Sequence, residues 1–188
     1  HWQVTEEDLT PLHSGLVADG TANDVYGSAP WAVLKEQPKM VLYGLQMAAK
    51  AIRFTRYHIA TMLPKKRRRA LKKAVGRAKV YTVGDEYPVT VFADKNMETY
   101  RIGVQACLAL AQAIKQGKRH THTVVTVAGD ALPAPRNLRV PFGTDISVLL
   151  SACQAEGSYR IVLGDAMTGT LSTYRHATLL PGMKVILA

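Results

Sequence analysis

Amphipathic and short apolar runs alternate along the first two thirds of the chain, whereas the last third places several short apolar runs close together. Residues 15–18 (GLVA) predict a strand, which leaves through Asp19-Gly20 into a loop past Asn23, Asp24, Gly27 and Ser28 that ends at Pro30 or Trp31. Pro38 suits the first turn of a helix, and Val41, Leu45, Ala48, Ala49 and Ile52 then fall on one helical face. Residues 57–62 (YHIATM) predict a second strand, stopped by Pro64. Residues 65–78 predict a second helix with Leu71, Ala74, Val75 and Ala78 on its apolar side, and residues 79–83 a third strand. The run of Ala, Leu and Ile between Ala106 and Ile114 predicts a deeply buried helix over residues 98–116.

Beyond Gly117 the period changes. Residues 124–127 are apolar and β-branched, and a turn at Gly129-Asp130 follows. A segment stiffened by Pro133 and Pro135 leads to a second short strand at residues 137–141. The chain turns again at Gly143. Thr144 or Asp145 then caps a helix carrying Ile146, Leu149 and Leu150 on one side. Strand, turn, strand and helix open a β-grasp unit. The fold class expected is therefore α/β: a Rossmann-like parallel half over residues 15–117, after a lead-in of residues 1–14, and then a β-grasp, α+β half over residues 118–188.

The second half also carries a family resemblance. Residues 124–131 (VVTVAGDA), the proline-bearing turn at 133–135, Asn137 to Val140, and Gly143-Thr144 resemble, in order and spacing, the SLBB-type ligand-binding β-grasp domain of flavin subunits of respiratory complexes. The likeness is to the C subunit of the Rnf electron-transport complex and to the flavin subunit of complex I. IVLGDAMTG (161–169) is similar to the family's glycine-rich strand-turn, and GMKVILA (182–188) to the strand that precedes its iron-sulfur module. The likeness extends back to EQPKMVLYGLQMAAKAI in the first half.

The resemblance implies a soluble module of an NADH- and flavin-linked electron-transfer complex, with flavin mononucleotide (FMN) as cofactor and NADH and the other subunits of a membrane-associated complex as partners. It assigns cofactor contacts to the Asn-x-Glu-Thr motif, here Asn96, Met97, Glu98 and Thr99, and to the acidic loop that begins at Asp19. Tyr87, beside Pro88, is a candidate for stacking on a ring system, or else an edge tyrosine of a strand. Without the resemblance, Asn96 to Thr99 reads equally as a helix start. Such a start either caps itself or offers its free amides to a phosphate. The chain departs from the family at the loop 19–24, which lacks Glu-x-Glu-Pro, and at VTVFADK (89–95), where a Gly-Gly-Glu segment belongs. Those departures leave a second reading, a scaffold or ligand-binding relative without flavin chemistry.

Charge adds a third reading. The formal net charge is +10, concentrated in KKRRRALKKAVGRAK (65–79). This is a solvated outer face, a contact for an anionic partner such as an acidic protein or lipid surface, or a nucleic-acid interface, although no aromatics are interleaved with the charges. Cys107 and Cys153 lie far apart with no Cys-x-x-Cys, so the chain by itself offers no ligand set for an iron-sulfur cluster. Neither a disulfide framework nor a run long enough to span a bilayer is present, and the expected location is cytoplasmic, peripheral to a membrane through partner subunits. The absence of an initiator Met points to a fragment. His58, His120, His122 and His176 lack metal-ligand spacing, and Ser147 and Ser151 lack a nucleophile elbow.

Overall fold

The computed structural model describes residues 14–22, 24–76, 78–83, 98–172 and 177–188. Two compact units emerge from the contacts: the described residues up to Thr21 together with Leu34–Arg119, and Ala22–Val33 together with His120–Ala188.

The first unit is built on a four-stranded sheet of order β3-β2-β1-β4, with β1 at Ser14–Gly20, β2 at Arg56–Thr61, β3 at Lys79–Thr82 and β4 at Glu98–Gly103. All of its pairings are parallel. β1 runs through the middle, and its Val17 and Ala18 are fully buried, as expected of a parallel strand enclosed on both faces. The helices of this unit are α2 (Pro38–Ala51), α3 (Lys65–Val75) and α4 (Val104–Gln116); α1 (Ala29–Glu36) precedes them. α2 buries Val41, Leu45 and Ala49, and α4 buries Val104, Cys107, Leu108 and Ala111. These two helices touch backbone to backbone: a Cβ added at Gly44 would lie 1.8 Å from the Cys107 carbonyl oxygen. Only glycine permits that approach.

Three sequence expectations change here. Residues 98–103 form strand β4, not the first turns of a helix, and α4 starts only at Val104. Thr99, Tyr100 and Ile102 favour a pleated strand, and six residues of register against β1, from Ser14↔Glu98 to Asp19↔Gly103, hold them extended. The apolar run of α4 fixes a helix, but that helix stops at Gly103, which interrupts the pattern on its N-terminal side. α1 is the second change, because it occupies residues where the sequence predicts only the end of a loop. α3 is shorter than expected, ending before Gly76, which takes φ +60°.

The second unit is a mixed five-stranded sheet of order β6-β5-β9-β7-β8, with β5 at His122–Ala128, β6 at Arg136–Pro141, β7 at Ile161–Leu163, β8 at Thr170–Ser172 and β9 at Val185–Leu187. β5 pairs antiparallel with β6 and parallel with β9, and α5 (Ile146–Ala152) packs on the sheet in a β-grasp arrangement. The Asp145 side chain caps α5 by accepting from the Ser147 amide at 2.8 Å. The core gathers Val125, Val127, Leu132, Ile146, Leu149, Leu150, Leu179 and Ile186. The architecture is thus a parallel α/β half followed by a mixed β-grasp half.

Residues 22–33 join this second unit through side chains. Thr126 of β5 accepts from the amides of Ser28 and Ala29, both at 2.9 Å, at the start of α1. Its hydroxyl donates to Asn137 Oδ1 at 2.7 Å, and Asn137 Nδ2 donates to Ser28 Oγ at 3.0 Å. A helix start is capped from a strand almost a hundred residues away.

Candidate functional site: the carboxyl end of the parallel sheet

Strand succession in the first sheet runs outward from β1 to β2 to β3 and then returns to place β4 on the other side of β1. In open α/β sheets, ligands sit beyond the carboxyl ends of the strands where that succession reverses. Here the place lies at the ends of β1 and β4, where Asp19 and Gly103 are register partners. Asp19-Gly20-Thr21 leaves β1, and Gly103 leads directly into α4.

Gly103 is the N-cap of α4, extended at φ −64° and ψ 144°, with no side-chain capping bond. Among the described residues, a Cβ added to it meets nothing within 4 Å, so a side chain there has space. The first-turn amides and the positive end of the helix dipole face that space, an arrangement suited to an anion. Beside it, Asp19 Oδ1 accepts from the Thr21 amide at 3.0 Å and from the Thr21 hydroxyl at 2.6 Å. Those bonds hold the loop that leaves β1. Gly20 is required there by packing, since an added Cβ would lie 2.3 Å from Leu34 Cδ1.

Among the described residues, those expected to contact cofactor stand at opposite ends of the sheet. Asp19 stands at the carboxyl end of the sheet, whereas Glu98 and Thr99 pair with Ser14 and Gly15 at its amino end. Five strand steps separate Glu98 from Gly103, about 16 Å. Asn96, Met97 and Tyr87 lie outside the described residues. The helix expected from Glu98 to Gln116 starts instead at Gly103-Val104, with Glu98 and Thr99 in β4. One signal in the sequence pointed to it: Gly103 stands immediately before the apolar run VQACLALAQAI.

A second concavity, of about 610 Å³, lies in the β-grasp unit. Tyr26 and Tyr159 line it with Asp130, Glu156, Arg160 and the backbone of Gly129 and Gly157. Its charges are mixed. Elsewhere in this unit Asp165 closes the turn between β7 and β8, accepting from the amides of Met167 and Thr168 at 2.6 and 2.9 Å and from the Thr168 hydroxyl at 2.7 Å. The Thr168 hydroxyl, joined by those two amides, holds its carboxyl below the ordinary carboxylate value against the opposing effect of burial.

Side chains able to hold a metal ion are not assembled among the described residues. No group of three or more His, Cys, Asp or Glu side chains converges there. Burial pushes the Cys107 thiol up to about 12 and raises that of Cys153, so both are held as thiols. His58 is buried edge-on to Tyr81, and His120 packs edge-on to Phe142. Among the described residues no helix is long and apolar enough to cross a membrane.

No family model matches the chain. Curated relatives do. The A subunit of the Na(+)-translocating NADH-quinone reductase of Aliivibrio salmonicida is 32% identical over 95 residues, covering 50% of this chain and 20% of that protein. Its counterpart from Vibrio vulnificus is 31% identical over 93 residues. The C subunit of the proton-translocating ferredoxin:NAD(+) oxidoreductase complex of Clostridium ljungdahlii is 23% identical over 193 residues, spanning 92% of this chain and 42% of that protein. The chain is therefore distantly similar to subunits of electron-transport complexes, and spans less than half the length of the relatives it matches. Among solved structures, the NAD+-reducing [NiFe]-hydrogenase in the H2-reduced state superposes with a TM-score of 0.78 at 13% identity, over 97% of this chain and 41% of that one. Its air-oxidized form gives 0.64 at 14% identity. These likenesses are of fold.

Proposed function

We propose that the chain is a module of an electron-transfer complex, resembling the Rnf C subunit and linked to NADH and flavin, with a Rossmann-like domain over residues 15–117 and an SLBB-like β-grasp domain over residues 118–188. Its nucleotide-facing edge is the carboxyl end of β1 and β4. The observation that carries the reading is the start of α4 at the reversal of strand order, with no side-chain cap and, among the described residues, nothing within 4 Å of a Cβ added at Gly103. The distant likeness to the C subunit of the ferredoxin:NAD(+) oxidoreductase complex, over 92% of the chain, supports it. The module works on the cytoplasmic side, held to the membrane complex by partner subunits.

The residues present fit a phosphate-bearing cofactor such as FMN at one point. The amides after Gly103 would hold the phosphate, with Asp19, already anchored by Thr21, available to a sugar hydroxyl on the neighbouring strand end. Bound flavin would supply one- and two-electron transfer. The chain's own part is to bind and orient it.

Fluorescence titration of FMN and of riboflavin tests the reading. FMN should bind more tightly than riboflavin to the wild type, by about tenfold or more, the scale of charge-assisted hydrogen bonds to a phosphate. Gly103→Asp, which puts a carboxylate into the open space and caps the helix, should abolish that preference while leaving the fold intact. An Asn96→Ala, Thr99→Ala double variant should keep it. Loss of the preference in the double variant instead would return the site to Asn96 and Thr99. No binding of either ligand to the wild type would leave the scaffold reading, which the altered loops at 19–24 and 89–95 already favour.

A further inference from the structure

The most strongly charged surface of the molecule is unused by the site above. α3 carries Lys65, Lys66, Arg67, Arg68, Arg69, Lys72 and Lys73 with no acidic residue, and so holds seven of the ten net positive charges of the chain. Leu71 and Val75 are its buried residues. On the opposite side Lys65, Arg69, Lys72 and Lys73, at i, i+4, i+7 and i+8, make one exposed stripe with Lys66 beside it. From Lys65 to Lys73 the stripe is about 12 Å long.

Several features set it apart from an ordinary solvated face. Like charges at i, i+4 repel, and Lys65 to Arg67 occupy the first turn, where the helix dipole disfavours cations. Among the described residues no carboxylate is paired with any of the seven. Arg68 alone turns aside, donating to the Thr82 hydroxyl. The surface is thus arranged against the intrinsic preference of the helix, and an external array of negative charge is its complement.

We infer that the outward stripe of α3 is a docking surface for an anionic lipid bilayer, bound through phosphate headgroups. A flat, extended array of charges matches a straight stripe better than a discrete ligand does. No large apolar side chain is exposed on α3, so contact is adsorption at the headgroups with no insertion into the acyl region. α3 itself carries no aromatic side chain as a platform for bases, which separates its stripe from a stacking nucleic-acid reader. The choice of a lipid partner rests on the proposed place of the chain in a membrane-associated complex. Its consequence is that the module touches the membrane directly, in addition to being held by other subunits.

Co-sedimentation of the full chain with phosphatidylcholine vesicles, with and without a minority of phosphatidylglycerol, tests this without any flavin or nucleotide, so the α4 site can fail while this surface stands. Binding is expected only to the anionic vesicles, and should vanish in about 0.5 M salt, where screening extends over only a few Å. Lys65→Gln, Arg69→Gln, Lys73→Gln should lower partitioning by about a hundredfold, from roughly fivefold per surface charge. A variant losing the same charge elsewhere, Lys118→Gln, Arg119→Gln, Arg139→Gln, should fall several-fold at most. Equal loss in both variants, equal binding to neutral vesicles, or binding by the wild type that survives high salt would overturn the inference. So would a short RNA duplex or polyglutamate displacing the protein from vesicles at matched charge.

Discussion

Replacing Thr126 by Val removes one oxygen and changes little else in shape, and the structure says what that oxygen does. It accepts from the Ser28 and Ala29 amides, both at 2.9 Å, in a residue only 5% exposed. Ala29 is fully buried, so its orphaned amide cannot be rehydrated and should cost about 1–3 kcal/mol. Ser28 is half-buried and regains water, at a cost of about 1 kcal/mol or less. Burying a methyl in place of the hydroxyl returns about 0.8 kcal/mol. The net loss expected is about 2 kcal/mol, similar to loss of a strong helix cap. Urea unfolding read by Trp31, which lies in α1 itself, would measure it in a Trp2→Phe background that leaves Trp31 as the single tryptophan. Amide exchange supplies the second readout. Ala29 should lose protection in Thr126→Val and keep it in Thr126→Ser. A Val variant within about 0.5 kcal/mol of the parent, with Ala29 still protected, would refute the reasoning.

Two further predictions concern single contacts. Gly44→Ala gains helix propensity of about 1 kcal/mol but drives a methyl into the Cys107 carbonyl, so the variant should be destabilised by about 1–3 kcal/mol in urea, and a stabilised variant would show that α2 and α4 are less close than described. The carboxyl of Asp165 is held below its ordinary value, so its contribution is present above the ordinary carboxylate range and lost as pH falls through its lowered pKa. Asp165→Asn should therefore be less stable than the parent at pH 7, the gap closing as the buffer is taken below about 4; a gap that is constant with pH would contradict the assigned hydrogen bonds.

Local pattern was enough for those elements whose cause is local. α2 could be read from Pro38 and five apolar residues on one face, α5 from a cap at Thr144 or Asp145 and Ile146, Leu149 and Leu150, and the strands around residues 15–18, 57–62, 79–83 and 124–127 from short apolar runs. The α/β order followed by close-set short strands also stood in the sequence, because hydrophobic period changes with the element that must bury it. Tertiary structure decided three things. Residues 98–103 became a strand because β1 offered six residues of parallel register, which outweighs the helical pattern of the residues that follow. α1 formed because its first amides meet Thr126, a partner almost a hundred residues away, and no neighbouring residue announces such a cap. The start of α4 moved from Glu98 to Gly103-Val104 for the same reason. Which strand ends meet depends on sheet order, and sheet order is set by long-range pairing that a single strand's sequence does not encode.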